Sequence, residues 1–259
     1  MTFAARIDDD TLDRGSVRLE IDGPLAVLTL DRPDALNAQT PATWIGLNRA
    51  VDLLPAKVRV VIVTGAGRAF SAGLDRAVWA DGTLAAIGDL PDHLALDRIA
   101  AFQHAFGRLA EPGRITIAAV RGPAVGAGFQ LALACHLIVA ADDAVFSLFE
   151  VTLGLVPDLG GIGRLARSVG ERRTLELAAT GRRLGAAEAG NWGLVNRVVP
   201  VDQLDAVVRE LAAALLANPE PAVSAVSALV AGAASREPAE QLLRERSAQL
   251  LLLRAAARR

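Results

Sequence analysis

Residues 120–161, VRGPAVGAGFQLALACHLIVAADDAVFSLFEVTLGLVPDLGG, concentrate the groups able to do chemistry. The turn Gly126-Ala127-Gly128 opens a helical pattern directly after an apolar strand, and two carboxylates, Glu150 and Asp158, follow. A helix N-terminus offers unpaired N–H groups and the positive end of its dipole, so an oxyanion beside Ala127 is stabilised there. The same small residues let the helix pack tightly, and a buried pocket needs both properties. Glu150 sits between AVFSLF and VTLGLV. A carboxylate in so apolar a setting is either paired or functional, because desolvation raises its pKa toward that of a usable acid or base. Asp158 has two readings, a carboxylate of the same pocket or the N-cap of the helix that follows it.

A second loop, TGAGRAFSAGLD over residues 64–75, leaves another apolar strand. Its small residues admit a ligand to the main chain, and N–H groups around Gly73, Leu74 and Asp75 are placed to meet a developing negative charge. AFSAG approximates a G-x-S-x-G nucleophile elbow with Ala69 in the first Gly position, but His93, His104 and His136 lack the context that a Ser71 hydrolase requires. The third loop, LGGIGRLA at 159–166, imitates a dinucleotide fingerprint. Pro157 and Asp158 precede it in place of an opening strand, and no acidic strand end follows at the right distance.

The elements that must position these loops follow an α/β rhythm. Residues 17–21 and 25–30 read as a hairpin around Asp22-Gly23-Pro24. Thr40 followed by Pro41 announces a helix to about residue 54. VRVVIVTG, ITIAAV and LIVAA are apolar on both faces, as strands covered on two sides must be, and a helical pattern lies around 94–110. Beyond Gly170 the pattern is helical: 171–180, 186–192, 202–217, 221–234 and 237–257. The last helix is apolar on one face and Arg-rich on the other, so it packs either on its own core or against another subunit. Residues 1–15, with Asp8, Asp9 and Asp10, read as a solvated, mobile arm.

At 259 residues, 52% apolar and net charge -2, the chain is long enough for one large core or two modest domains. The lack of a repeat or low-complexity linker favours one fold with a helical appendage. No apolar run approaches the roughly 20 residues of a bilayer span, and no export signal opens the chain, so a cytoplasmic, non-membrane protein is expected. Lys57 is the only lysine and the arginines are scattered, which gives no basic stripe for nucleic acid. The lone Cys135 reads as an inert core thiol.

Taken together, DRPDALNA, AFSAGLD, the 120–161 stretch and TGRRLGAAEAGNWGLVNRVVP resemble the crotonase family, the enoyl-CoA hydratase/isomerase superfamily, over about residues 16–215. The resemblance implies a ClpP-like crotonase fold of repeated ββα units over 16–195, with a helical C-terminal region at 196–259 that builds homotrimers, often paired into hexamers. It implies an acyl-CoA thioester whose carbonyl oxygen is held by the Leu74 and Ala127 N–H groups while an enolate forms. Substrate contacts would fall at Arg32, Arg68, Ala72, Gly73, Asp75, Gly126 and Gly128. No metal and no separate cofactor are implied, coenzyme A being part of the substrate. Hydratases of the family carry two Glu residues; here the second is Glu150 and Gln130 stands at the first. An amide orients water but cannot trade protons near neutral pH. The resemblance therefore implies double-bond isomerisation by Glu150 in preference to hydration, with Asp158 at a position used by isomerase-like members. A genuine hydratase of fatty-acid oxidation and a non-catalytic acyl-CoA binder remain the alternatives.

Overall fold

The computed structural model describes residues 5–111 and 113–258. Its strands are β1 (Ala5–Arg6), β2 (Val17–Asp22), β3 (Leu25–Leu30), β4 (Val60–Gly65), β5 (Ile115–Val120), β6 (Pro123–Val125), β7 (Leu137–Ala141), β8 (Val145–Ser147), β9 (Leu184–Gly185) and β10 (Arg197–Val199). The helices are α1 (Asp10–Arg14), α2 (Pro41–Asp52), α3 (Arg76–Ala80), α4 (Ala85–Gly88), α5 (Asp92–Leu109), α6 (Ala127–Ala134), α7 (Gly161–Val169), α8 (Glu171–Thr180), α9 (Ala186–Asn191), α10 (Leu204–Leu216), α11 (Glu220–Val230) and α12 (Pro238–Ala256).

One sheet runs in the order β1-β2-β3-β4-β5-β7-β10, and a smaller one β6-β8-β9. The β2–β3 hairpin is antiparallel with Asp22 opposite Leu25, whereas β3, β4, β5, β7 and β10 pair in parallel. The two-faced apolar strands behave as their period demands. Val61, Val63, Ala118, Val120, Ile138 and Ala140 face the larger core, while Val60, Ile62, Ile117, Ala119, Val139 and Ala141 face Leu204, Val208 and Ala212 of α10.

The α2 helix starts as its sequence demands, with Thr40 and Thr43 forming a reciprocal capping box ahead of Pro41, a cap of this kind contributing about 1 kcal/mol. Trp44 of α2 packs on Phe102 of α5 with ring centroids 4.6 Å apart.

Two expectations are corrected. The arm of 1–15 is folded over its described part, residues 1–4 lying outside the described residues: β1 pairs with β2, Asp9 caps α1, and Leu12 is buried. An acidic run that caps a helix and pairs with Arg49 is not simply a solvated tail. The boundary at 195/196 cuts through the sheet, because β10 pairs with β7 and α10 covers one sheet face. The region that stands off is α11–α12, in which no residue is buried and Val226, Val230, Leu242, Leu243, Leu250 and Leu251 are exposed. In this single chain α12 therefore does not pack on its own core. Among the described residues no single helix is long and apolar enough to cross a membrane.

Candidate functional site

The loops leaving the C-terminal ends of β3, β4 and β5 converge, the usual place for a site in a parallel sheet. Isolated bridges Gln39–Leu74 and Ser71–Ala124 extend the small sheet across those loops. Gln39 donates its N–H to Gly73 O at 2.7 Å and accepts from Asp75 N–H at 2.8 Å. The intervening Leu74 N–H therefore points away from Gln39. Gly73 N–H is taken by the Ser71 hydroxyl at 3.2 Å. Of the three N–H groups expected to face a charge, Leu74 alone is left without a protein acceptor among the described residues.

Ala127 is the first residue of α6, and its N–H likewise has no protein acceptor among the described residues. The two segments are in close contact: a Cβ on Gly73, whose φ is +89°, would stand 2.5 Å from Val125 O and 3.5 Å from the Ala127 nitrogen. Only Gly permits that approach. The two N–H groups thus lie on adjoining segments, an arrangement that can serve as a cradle for one oxygen.

Glu150 is brought underneath by the small sheet. Gly126 N–H bonds Ser147 O at 2.8 Å, joining the end of β6 to the end of β8, and a 3-10 turn (Phe149–Leu153) then presents the carboxylate. With φ +53°, Gly126 leaves room for it: a Cβ there would come within 3.2 Å of Glu150 Oε1. Gln130, 1% exposed in the first turn of α6, donates its amide N–H to Glu150 Oε1 at 2.8 Å. Its own carbonyl accepts Leu159 N–H at 2.9 Å and Gly161 N–H at 3.1 Å. Those bonds fix which end of the amide faces Glu150. The other oxygen, Oε2, is buried with no hydrogen-bond partner among the described residues.

Burial pushes the Glu150 carboxyl above the usual carboxylate range, the Asp158 charge adds to the rise, and the Gln130 amide holds it back. Burial raises Asp158 as well, although its side chain remains open to solvent in the single chain. Asp158 is not a helix cap: the cap of α7 is Gly160, φ +84°, with no side-chain bond. Gln130 serves the first N–H of that helix from across the pocket, and Gln103 holds Asp158 O at 2.6 Å.

The family model described as enoyl-CoA hydratase/isomerase matches residues 20–254. The chain belongs to the enoyl-CoA hydratase/isomerase family. It is 41% identical over 217 residues to carnitinyl-CoA dehydratase of Escherichia coli K12, covering 82% of this chain and 78% of the relative. The Mycobacterium bovis protein named "Probable enoyl-CoA hydratase echA8" is 39% identical over 191 residues, 73% of this chain and 70% of its own. A Thermobifida fusca YX relative solved in complex with CoA superposes with a TM-score of 0.91 at 40% identity, covering 98% of both chains. The same organism's structure with acetoacetyl-CoA gives 0.89 at 39%, over 96% of this chain and 98% of that one. The crotonase fold expected from the motifs is borne out.

The other residues named from sequence lie as follows. Arg32 pairs with Asp75 at 2.8 Å and donates to Ala38 O at 3.0 Å. Asp75 also caps α3 through Ala77 N–H, and that bond, with Arg32, holds its carboxyl below the usual range. The pair is thus engaged in bracing the loop. Ala72 donates its N–H to Leu36 O at 2.8 Å, and Arg68 is exposed at the rim of the β4 loop. Gly128 does not face the cradle, because its bare Cα packs on Ser71, whose carbonyl a Cβ would approach to 2.4 Å. Ser71 itself is fully buried and donates its hydroxyl to Asn37 O at 2.8 Å, which leaves no nucleophile there. Cys135 is buried and its thiol is pushed up to about 12 by desolvation, as an inert thiol should be. Gln39, Trp44, Gln103 and Arg164, which brace the site loops, were not singled out from sequence; their roles rest on contacts across the fold that no local motif marks.

Proposed function

We propose that this enzyme moves the double bond of an enoyl-CoA thioester. Leu74 and Ala127 N–H would hold the thioester oxygen, and Glu150 would act as the single proton carrier. The unpaired Oε2 removes the proton from C2 of a 3-enoyl ester, and the electron pair moves through the thioester onto the cradled oxygen. The protonated Glu150 then delivers that proton to C4 as the carbonyl re-forms and the double bond settles between C2 and C3. Gln130 orients Oε1, and Asp158 keeps the carboxyl basic by its charge.

The observation that carries this reading is the locked amide of Gln130. With its carbonyl on two backbone N–H groups and its N–H on Glu150, it has no proton to exchange, so one carboxylate does the acid–base work at this contact. Water addition or removal is the second reading, favoured by the names of the relatives above. Acyl-CoA as substrate is supported by the CoA and acetoacetyl-CoA complexes of the Thermobifida relative. The exposed apolar faces of α11 and α12 favour a homotrimer or a hexamer that covers them.

Incubation with a 3-enoyl-CoA and, in parallel, a 2-enoyl-CoA in deuterated water separates the two reactions. Migration with deuterium uptake and no added water is expected. Rapid addition of water to the 2-enoyl ester would replace isomerisation with hydration.

A further inference from the structure

Beneath the Leu74 and Ala127 N–H groups runs a chain of buried polar side chains that the proposed reaction leaves unused. Ser71, with no exposed surface, stands at its centre. Its hydroxyl donates to Asn37 O at 2.8 Å and accepts from the Gln39 amide at 3.1 Å and from Gly73 N–H at 3.2 Å. Gln39, equally buried, accepts the Trp44 indole N–H on Oε1 at 2.9 Å. Asn37 donates its amide to Ala66 O and Ala69 O and accepts Arg32 N–H on Oδ1.

Each of these groups left unbonded in a core would be destabilising, whereas apolar residues of the same shape would hold the core equally well. A fully satisfied buried network earns its place by fixing one arrangement. What this one fixes is visible in the main chain. Gln39 brackets Leu74 through its bonds to Gly73 O and Asp75 N–H. The Ser71 main chain donates to Pro123 O at 2.9 Å and accepts from Val125 N–H at 3.0 Å, along β6, which leads into Gly126 and Ala127. The first turn of α6 also rests on Ser71 through Gly128. The side-chain bond between Gln39 and Ser71 therefore links the residue whose main chain brackets Leu74 to the residue whose main chain holds the strand leading to Ala127.

We propose that Gln39 and Ser71, held by Trp44 and Asn37, form a polar strut that sets the spacing and direction of the Leu74 and Ala127 N–H groups. They are positioning residues for the thioester oxygen and do not themselves meet the substrate. The inference rests on the reading of those two N–H groups as the oxygen cradle.

The test is difference infrared spectroscopy of a bound saturated acyl-CoA carrying a 13C label at the thioester carbonyl, alongside steady-state kinetics with the enoyl ester. The wild type should lower the carbonyl stretch, and Glu150→Gln should keep that shift. Ser71→Ala and Gln39→Met should lose much of it, with kcat down about tenfold to hundredfold and KM changed less than about threefold. A wild type that binds no thioester, or binds one without a shift, overturns the cradle and the strut together. A shift present in the wild type and kept in full by folded Ser71→Ala and Gln39→Met, with kcat unchanged, overturns the strut alone. Where those variants do not fold, Trp44→Phe keeps an aromatic ring against Phe102 while removing the indole N–H together with part of the bicycle. Its expected result is a smaller loss of the shift with kcat lowered about threefold, and full retention of both overturns the strut.

Discussion

Exchanging Gln130 for Glu changes the site by little more than one N–H, so its outcome can be worked out from the contacts. One oxygen of the new carboxylate keeps the bonds from Leu159 and Gly161 N–H, at 2.9 and 3.1 Å in the parent. The other faces Glu150 Oε1 across the 2.8 Å now bridged by the amide. Two negative charges at that spacing repel by ~6 kcal/mol at an effective dielectric of about 20. That separates the two titrations of the pair by about four pH units. The pair then carries one shared proton across neutral pH, where the parent has a lone Glu150 that ionises once. The rate of the parent should rise through a single ionisation, placed above the usual carboxylate range by burial, and then level off. The variant should show a bell, and because it now holds an acid beside a base it should add water to a 2-enoyl-CoA at least about a hundredfold faster than the parent. Stopped-flow loss of the enoyl absorbance from about pH 5 to 10 reads both effects. A folded variant with the parent's single-ionisation profile and no gain in hydration would refute the contact between residues 130 and 150 as the control of this chemistry.

Glu150→Gln should lower turnover by about a thousandfold or more while acyl-CoA binding persists; turnover near the parent's would remove Glu150 from the mechanism. The same variant bears on stability: a carboxyl raised on folding means that the native state loses stability as pH climbs from the ordinary value of 4.5 through the raised one. Glu150→Gln should therefore melt higher than the parent at neutral pH and show no advantage near pH 4, as read by melting curves across pH. Asp158→Asn removes a charge that raises Glu150, so the acidic limb of the rate profile should move to lower pH; a limb moved upward or not at all would contradict the coupling. Gly73→Ala places a Cβ 2.5 Å from Val125 O at a φ of +89°, which should cost about 2–4 kcal/mol in chemical denaturation; a cost under about 0.5 kcal/mol would contradict the close approach. Arg at both Leu243 and Leu251, exposed at 56% and 67% in the single chain, should shift the mass in light scattering toward the monomer, and an unchanged assembly would exclude that face of α12 from the interface.

Strands apolar on both faces, β4, β5 and β7, were legible because burial on two sides leaves no polar alternation to misread. The start of α2 was legible because Thr40 and Pro41 act within one turn of chain. What escaped depends on partners distant in sequence. β9 and β10 span two and three residues and are strands only because β8 and β7 lie beside them. The apolar face of α12 was visible, but a face does not name its partner, and the single chain leaves it bare. Asp158 had the residue type of a cap, but α7 begins at Gly161 with Gly160, φ +84°, as its cap, so the helix starts two residues too late for Asp158 to serve it.

Gln130 shows where local reading stops and geometry takes over. Its identity alone argued that one proton carrier is missing, since an amide neither gives nor takes protons near neutral pH. The contacts add that the amide is held at both ends, with two backbone donors on its oxygen and Glu150 on its nitrogen. An ionised Glu would satisfy the turn at 159–161 equally well, so holding that turn does not discriminate between the two residues. Only the 2.8 Å approach to Glu150 does. There an amide supplies a hydrogen bond that favours the charged base, and a carboxylate supplies repulsion that retains a proton. The difference between Gln and Glu at this position thus reduces to one proton shared with Glu150, the proton on which the proposed double-bond migration and the addition of water would diverge.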